Sequence, residues 1–176
     1  MKGFLGRLFG RPAPQPQPQV TGPEVYARLH ALALTRTPAD FGLPADVPPG
    51  AYAMLVDMGY PGATVTLFFG ADGTASLYVS TGGGVIGGHA YTGVRDAVTR
   101  ALAVATELAP GLAPAHEFPA PVQGDAALRV LTADGVREGG GSMNELASGR
   151  HALSRLFLAA NDVLTQLRLA TAGAGG

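Results

Sequence analysis

Three glycines at fixed spacing form the most specific chemical motif in the sequence. Gly82, Gly84 and Gly87 satisfy the pattern G-x-G-x-x-G between a predicted strand and a predicted helix. The backbone N–H groups of such a loop, close to the start of a helix, can hold a phosphate or another anion. The candidate ligand-binding residues are the loop glycines, Gly82, Gly83, Gly84, Gly87 and Gly88.

The surroundings of this loop favour a structural role over anion binding. The dinucleotide-binding version of the motif requires a parallel strand–helix–strand unit with an acidic residue at the end of the second strand. Here the preceding strands are predicted to form an antiparallel meander, and Glu107 falls on the following helix. A loop without side chains is then better explained by the close passage of another stretch of backbone.

Two titratable residues are candidates for acid–base chemistry. Asp57 interrupts an apolar strand just before a turn, where a buried carboxylate could act as an acid or a base. The favoured interpretation is that this carboxylate bonds backbone amides around Gly59, because aspartate readily accepts local hydrogen bonds. His151 opens the last predicted helix and is interpreted as an ordinary surface or half-buried histidine. No catalytic residue is assigned.

The composition of the 176-residue chain excludes several classes of chemistry. It contains no cysteine, which excludes disulfide bonds, thiol nucleophiles and cysteine-ligated metals. Lys2 is the only lysine, so neither a P-loop lysine nor a Schiff-base lysine is available. The four histidines show no metal-binding spacing, and we therefore expect no metal and no cofactor. A formal net charge of -1 argues against nucleic-acid binding.

The first 20 residues differ from the rest of the chain. A helix over Met1–Arg11 would place four large apolar side chains on one side, and Pro12–Gln19 alternates proline with alanine and glutamine, as extended linkers do. The apolar run is too short for a secretory signal or a membrane span. We expect either a disordered tail or a weak tether that enters a membrane interface or a partner groove. The tether residues are Phe4, Leu5, Leu8 and Phe9.

Hydrophobic periodicity predicts one α+β domain over residues 21–169, followed by a disordered tail of residues 170–176. The predicted order is α-β-β-β-α-β-β-α, with about five strands in a single antiparallel sheet flanked by helices. Gly139–Gly141 is expected to break the chain, and Ser142 with Glu145 is interpreted as a helix capping box. The predicted strands are Ala53–Met58, Thr64–Phe69, Thr74–Ser80, Ala127–Thr132 and Val136–Glu138.

The last predicted helix has apolar residues outside its main stripe. Its candidate interface residues on this second face are Leu158, Asp162, Thr165 and Leu169. Burying one leucine is worth about 1.5–3 kcal/mol, so we expect this face to form the interface of a homodimer. The alternative is that both leucines are isolated surface residues, which need no partner.

The order of elements resembles that of the type III secretion chaperone-like fold, a bacterial architecture of one antiparallel sheet flanked by helices. The resemblance covers residues 21–169 as topology, and it implies a homodimer that binds another polypeptide without catalysis. The segment Ser76–Gly88, SLYVSTGGGVIGG, also resembles part of an uncharacterised family of small bacterial proteins, which implies no function. Profilin-like and roadblock-like domains, which are also binding or dimerisation modules, contain similar elements.

Two functions follow from these observations. The first is a non-enzymatic polypeptide-binding, chaperone-like or assembly module with an unknown protein client. The second is a small anionic-ligand or nucleotide-binding protein that uses the loop of residues 82–88. We expect a cytoplasmic protein, or one at the membrane periphery if the N-terminal segment binds lipid.

Overall fold

A computed structural model describes residues 22–44 and 50–172 of the chain. Expectations for residues 1–21 and 173–176, including the tether, lie outside the described residues. The described helices are α1 (Gly22–Leu34), α2 (Thr92–Leu108), α3 (Met143–Ala147) and α4 (Ser154–Ala172). The strands are β1 (Ala51–Tyr60), β2 (Ala63–Gly70), β3 (Ala75–Val79), β4 (Gly84–Ile86), β5 (Ala113–Pro114), β6 (Asp125–Thr132) and β7 (Gly135–Ser142). All of them belong to one antiparallel sheet in the order β4-β3-β2-β1-β6-β7-β5.

Tight turns set the register of the sheet. Tyr60 pairs with Ala63 across a Pro-Gly turn, where Gly62 has a φ of 72°, as the second central residue of a type II turn requires. The hairpin between β6 and β7 closes on the pair of Thr132 and Gly135, and Gly135 has a φ of 112°. These turns confirm the hairpins expected from the sequence.

The sheet separates two layers of helix. Alternate residues of β1, such as Met54 and Val56, pack in a core cluster with residues of α2 and α4. The residues between them, Ala53 and Leu55, pack in a second cluster with α1. β1 is therefore buried on both faces, as its nearly continuous apolar run predicts.

The expectation of about five strands in the stated order is wrong, because two short strands and one short helix join the predicted elements. β4 forms inside the glycine-rich loop, where Val85 pairs with Leu77 of β3. β5 pairs with β7 at the opposite end of the sheet. Both strands are too short to produce a periodic pattern, and β5 also depends on an edge offered by β7, which lies more than 20 residues further along the chain.

The expected break at Gly139–Gly141 is also wrong, because these glycines lie within β7. A Cβ added at Gly140 would lie 2.3 Å from the carbonyl oxygen of Ala126. A Cβ added at Gly139 would lie 2.7 Å from the Leu153 side chain. Because glycine has no side chain, β7 can pack closely against its neighbours at these positions. The glycines therefore serve close packing and do not mark a chain reversal.

The start of the last helix differs from the expectation as well. Ser142 precedes the short helix α3, but its side chain makes no capping hydrogen bond, so the expected capping box is wrong. α4 begins at Ser154, three residues after His151. His151 is half-buried, as expected, and its Nδ1 accepts a hydrogen bond of 3.1 Å from the backbone N–H of Leu153.

Candidate functional site

A buried ion pair lies on the face of the sheet that α1 covers. Asp57 of β1 stands opposite Thr66 of β2, while Arg129 of β6 stands opposite Leu55. Side chains two residues apart on a strand share a face, so the register brings Asp57, Thr66 and Arg129 together beneath the helix. All three have a solvent-exposed fraction of 0%.

Both oxygens of the Asp57 carboxylate have partners. The Thr66 hydroxyl donates to Oδ1 at 2.5 Å, and Nη1 of Arg129 donates to Oδ2. The expectation that Asp57 bonds turn amides around Gly59 is therefore wrong. A buried carboxylate is costly unless a charge and hydrogen bonds compensate it, and this arrangement supplies both.

The Arg129 guanidinium extends the network to the protein surface. Its Nε donates to Oε2 of Glu138 at 2.5 Å, and its Nη2 donates to the carbonyl oxygen of Pro119 at 2.7 Å. It also lies 5.6 Å from the centre of the Phe118 ring. Arg129 thereby joins β1, β7 and the loop before β6 in one hydrogen-bonded group.

Two residues of α1 reach the same network from above. Tyr26 and His30 are four residues apart and therefore lie on one face of the helix. His30 Nε2 is 2.8 Å from Asp57 Oδ2, and the Tyr26 hydroxyl is 2.9 Å from Thr66 Oγ1. Because the Thr66 proton is directed to Asp57, Tyr26 is the donor in this bond. Burial raises the pKa of Tyr26, and this outweighs the opposing effect of its hydrogen bond with Thr66.

Sequence reasoning identified Asp57 but missed Tyr26, His30 and Arg129 as its companions. The separations along the chain are 27 residues from His30 to Asp57 and 72 from Asp57 to Arg129. The available signal was the i, i+4 spacing of Tyr26 and His30 on the inner face of a helix. The hydrogen bonds of this network hold α1 on the sheet at a defined position and rotation.

An apolar groove runs beside the helix that this network holds. One depression lies between α1 and the β3–β4 end of the sheet, and a second lies further towards the start of α1. Both share Leu29 and Tyr78, so we treat them as one surface, the α1 groove. Its lining residues are Gly22, Val25, Tyr26, Leu29, Leu32, Ala33, Arg36, Phe68, Thr74, Ser76, Tyr78, Val79, Gly82, Gly83 and Ile86.

The rims of the α1 groove expose large apolar side chains. Leu32 on the helix is 55% exposed, and Ile86 on β4 is 69% exposed. β4 is the end strand of the sheet, so the groove runs next to a sheet edge. Such an edge can accept an added strand of another polypeptide.

Tyr78 lies in the floor of the groove. Its hydroxyl is buried and has no hydrogen-bond partner among the described residues. Burial, together with the negative charge of Asp57, raises the pKa of Tyr78 far above that of a free phenol. The side chain therefore serves the groove as a neutral, largely apolar surface.

The glycine-rich loop borders one end of the α1 groove. A Cβ added at Gly22 would lie 2.8 Å from the Cα of Gly82, and one added at Gly84 would lie 2.3 Å from the carbonyl oxygen of Leu77. A Cβ at Gly88 would lie 2.9 Å from side-chain atoms of both Leu167 and Val94. Close approach of backbone, the structural role favoured by the sequence, therefore accounts for Gly82 and Gly84, and close side-chain packing accounts for Gly88.

Anion binding by Gly82, Gly83, Gly84, Gly87 and Gly88 stays a prediction. The neighbouring strands are antiparallel, unlike those of a dinucleotide-binding unit. Thermal-shift measurements on the unaltered protein with a panel of nucleotides test the prediction. Substitution of Gly84 does not, because an added side chain would meet backbone whether or not a ligand binds.

The expected dimer face of α4 lies across the sheet from the α1 groove. Leu158 is 47% exposed and Leu169 is 63% exposed. Asp162, between them, pairs with Arg100 of α2 at 2.7 Å, and the Thr165 hydroxyl donates to the Asn161 carbonyl oxygen at 2.8 Å. The structure thus separates this face from the groove, and the homodimer stays a prediction.

Comparison with protein-family models, with curated proteins and with solved structures gives no match. The resemblance to the type III secretion chaperone-like fold therefore stays a prediction based on the order of elements. Within residues 22–44 and 50–172, no helix has the length and apolar character needed to cross a membrane. In the same residues, no group of three or more histidine or acidic side chains is placed to hold a metal ion.

Proposed function

We propose that this protein is a non-enzymatic polypeptide-binding module that holds an apolar segment of a client chain in the α1 groove. The observation that carries the proposal is the pair of exposed apolar side chains, Leu32 and Ile86, on opposite rims of the groove. A partner that covers the exposed parts of both would gain about 2–4 kcal/mol from apolar burial.

The sheet edge supplies a second source of affinity. An extended client segment can add to β4 through backbone hydrogen bonds while every second side chain enters the groove. Backbone pairing is indifferent to side-chain identity, so the groove would select for apolar residues and not for one sequence. This combination suits a chaperone-like or assembly role.

The buried network gives the groove a fixed wall. Tyr26 and His30 bond Thr66 and Asp57, so the position of α1 does not depend on apolar contacts alone. A preformed groove binds more tightly because less conformational freedom is lost when the client enters.

The proposal includes the homodimer and the cytoplasmic localisation expected from the sequence. Leu158 and Leu169 are exposed on α4, on the other side of the sheet, so a dimer through this face would leave both grooves open. Light scattering at several concentrations tests the dimer. A monomer at high micromolar concentration, or a dimer that persists in Leu158→Glu, would contradict it.

A peptide-binding measurement tests the groove. Fluorescence polarisation of labelled 12-residue peptides, each with an apolar residue at every second position, is compared between the full chain and its variants. Leu32→Asp and Ile86→Asp should weaken binding at least about tenfold, which corresponds to 1.4 kcal/mol. Leu158→Asp, at an exposed leucine on the opposite side, is the matched control and should leave the affinity unchanged. Equal affinities for all variants would refute the groove as the binding site.

A further inference from the structure

We infer that residues 4–9 of the chain itself occupy the α1 groove when no client is bound, so that the N-terminal segment competes with the client. This inference rests on the proposed function of the groove. The described residues leave the groove open, and the N-terminal segment would fill it. A client would then have to displace this segment before it could bind.

The chemistry of the segment fits the groove. The sequence FLGRLF at residues 4–9 contains four large apolar side chains within six residues. The groove offers apolar partners on both rims and an aromatic floor formed by Phe68 and Tyr78. Covering Leu32 and Ile86 removes the most exposed apolar side chains of this region from water.

The length of the intervening chain also fits. α1 begins at Gly22 and has 13 residues, so it is about 20 Å long. The 12 residues from 10 to 21 can span up to about 40 Å when extended. Because the groove starts at Gly22 and runs along α1, residues 4–9 can reach any part of it from their attachment point.

The composition of the linker between this segment and α1 favours docking of the segment in the groove of the same chain. Residues 12–19 alternate proline with alanine or glutamine, a composition typical of semi-rigid linkers, and a semi-rigid linker loses less conformational freedom when the segment that it carries docks. A segment attached by a short linker has an effective concentration in the millimolar range, so a weak contact is sufficient to fill the groove.

A cysteine pair tests the inference directly, because the chain contains no native cysteine. The full chain carrying Leu8→Cys with Ile86→Cys is compared with the chain carrying Leu8→Cys with Ala103→Cys. Ala103 lies on α2, across the sheet from the groove, and both Ala103 and Ile86 are exposed, so each cysteine should be tolerated. At low micromolar protein, the groove pair should form an intramolecular disulfide at least about tenfold faster than the control pair. Equal rates, or disulfide-linked dimers as the main product, would overturn the inference.

A second measurement needs no groove substitution. Lys2 is the only lysine, so an amine-reactive photo-crosslinker labels the N-terminal segment alone. Mass spectrometry should locate the cross-links on α1 and β3–β4, and cross-links mainly on α4 would overturn the inference.

The two proposals can fail separately. Leu8→Glu with Phe9→Glu should tighten binding of the labelled peptides about three- to tenfold, because the free groove is then populated more fully. Unchanged peptide binding, together with slow formation of the groove disulfide, would reject self-occupation and leave the groove function standing. Absence of peptide binding in every variant, with a fast groove disulfide, would reject the client and support self-occupation.

Discussion

Replacing Asp57 by asparagine removes the central charge of the buried network while keeping the size of the side chain. Arg129 would then face a neutral amide with 0% of its own surface exposed. Removing one partner of a buried ion pair costs about 3–5 kcal/mol, because the remaining charge is left without compensation. Glu138 still accepts a hydrogen bond from Nε and is 28% exposed, so we expect a loss near the lower end, about 3 kcal/mol.

Equilibrium urea unfolding followed by circular dichroism measures this loss directly. Thermal unfolding gives a second measure: a domain of this size loses roughly 2–4 °C in melting temperature for each kcal/mol, so Tm should fall by roughly 6–12 °C. The slope of the urea transition should not change, because the same surface is exposed on unfolding.

A matched control is the exposed ion pair of Arg100 and Asp162. Their side chains are 61% and 42% exposed, and pairs of this kind contribute about 0–1 kcal/mol. Asp162→Asn should therefore cost much less than Asp57→Asn. Equal losses for the two variants would refute the argument that the buried network holds α1 on the sheet.

Three further predictions concern the packing around the groove and the sheet. Tyr78→Phe should leave stability unchanged or raise it, because the buried hydroxyl has no partner among the described residues. Tyr26→Phe should instead cost about 0.5–1.5 kcal/mol, because the hydrogen bond between its hydroxyl and Thr66 is lost. Thermal unfolding compares the two variants. Because burial raises the pKa of both phenols in the folded state, the free energy of unfolding should fall as pH rises above about 10, where unfolded tyrosine ionises. Absorbance at alkaline pH should show that the Tyr78 phenol ionises at a higher pH than a free phenol. Gly140→Ala should destabilise the protein, because its Cβ would lie 2.3 Å from a backbone oxygen. Gly111→Ala is the control and should not destabilise the protein, because its Cβ would meet no described atom within 4 Å. Urea midpoints that shift equally in both variants would contradict this packing argument.

Local sequence signals predicted the central part of the fold. The Pro-Gly turn before Ala63 and the Ala-Asp-Gly turn that ends at Gly73 both join the strands that alternation predicts. The nearly continuous apolar run of β1 predicted burial on both faces. These features depend on neighbouring residues, so one sequence is sufficient to recognise them.

Features that depend on distant partners could not be predicted in the same way. β5 has two residues and pairs with β7, so Ala113 faces Glu138 from a distant part of the chain. The glycines within β7 look like a chain break until Ala126 is placed beside Gly140. Asp57 was recognised as an unusual residue in an apolar strand, but its bonds to His30 and Arg129 join positions far apart in the chain.

Amide chemical shifts of the isotopically labelled full chain are the most direct test of whether the α1 groove binds polypeptide. The tightest-binding 12-residue peptide is titrated into the protein, and the perturbed backbone amides are mapped. If the groove binds the peptide, the perturbed amides should lie in α1 and β3–β4 around Leu32 and Ile86, and those on the exposed face of α4 should not change. Perturbations confined to α4, or saturable binding without any change in α1 and β4, would contradict it.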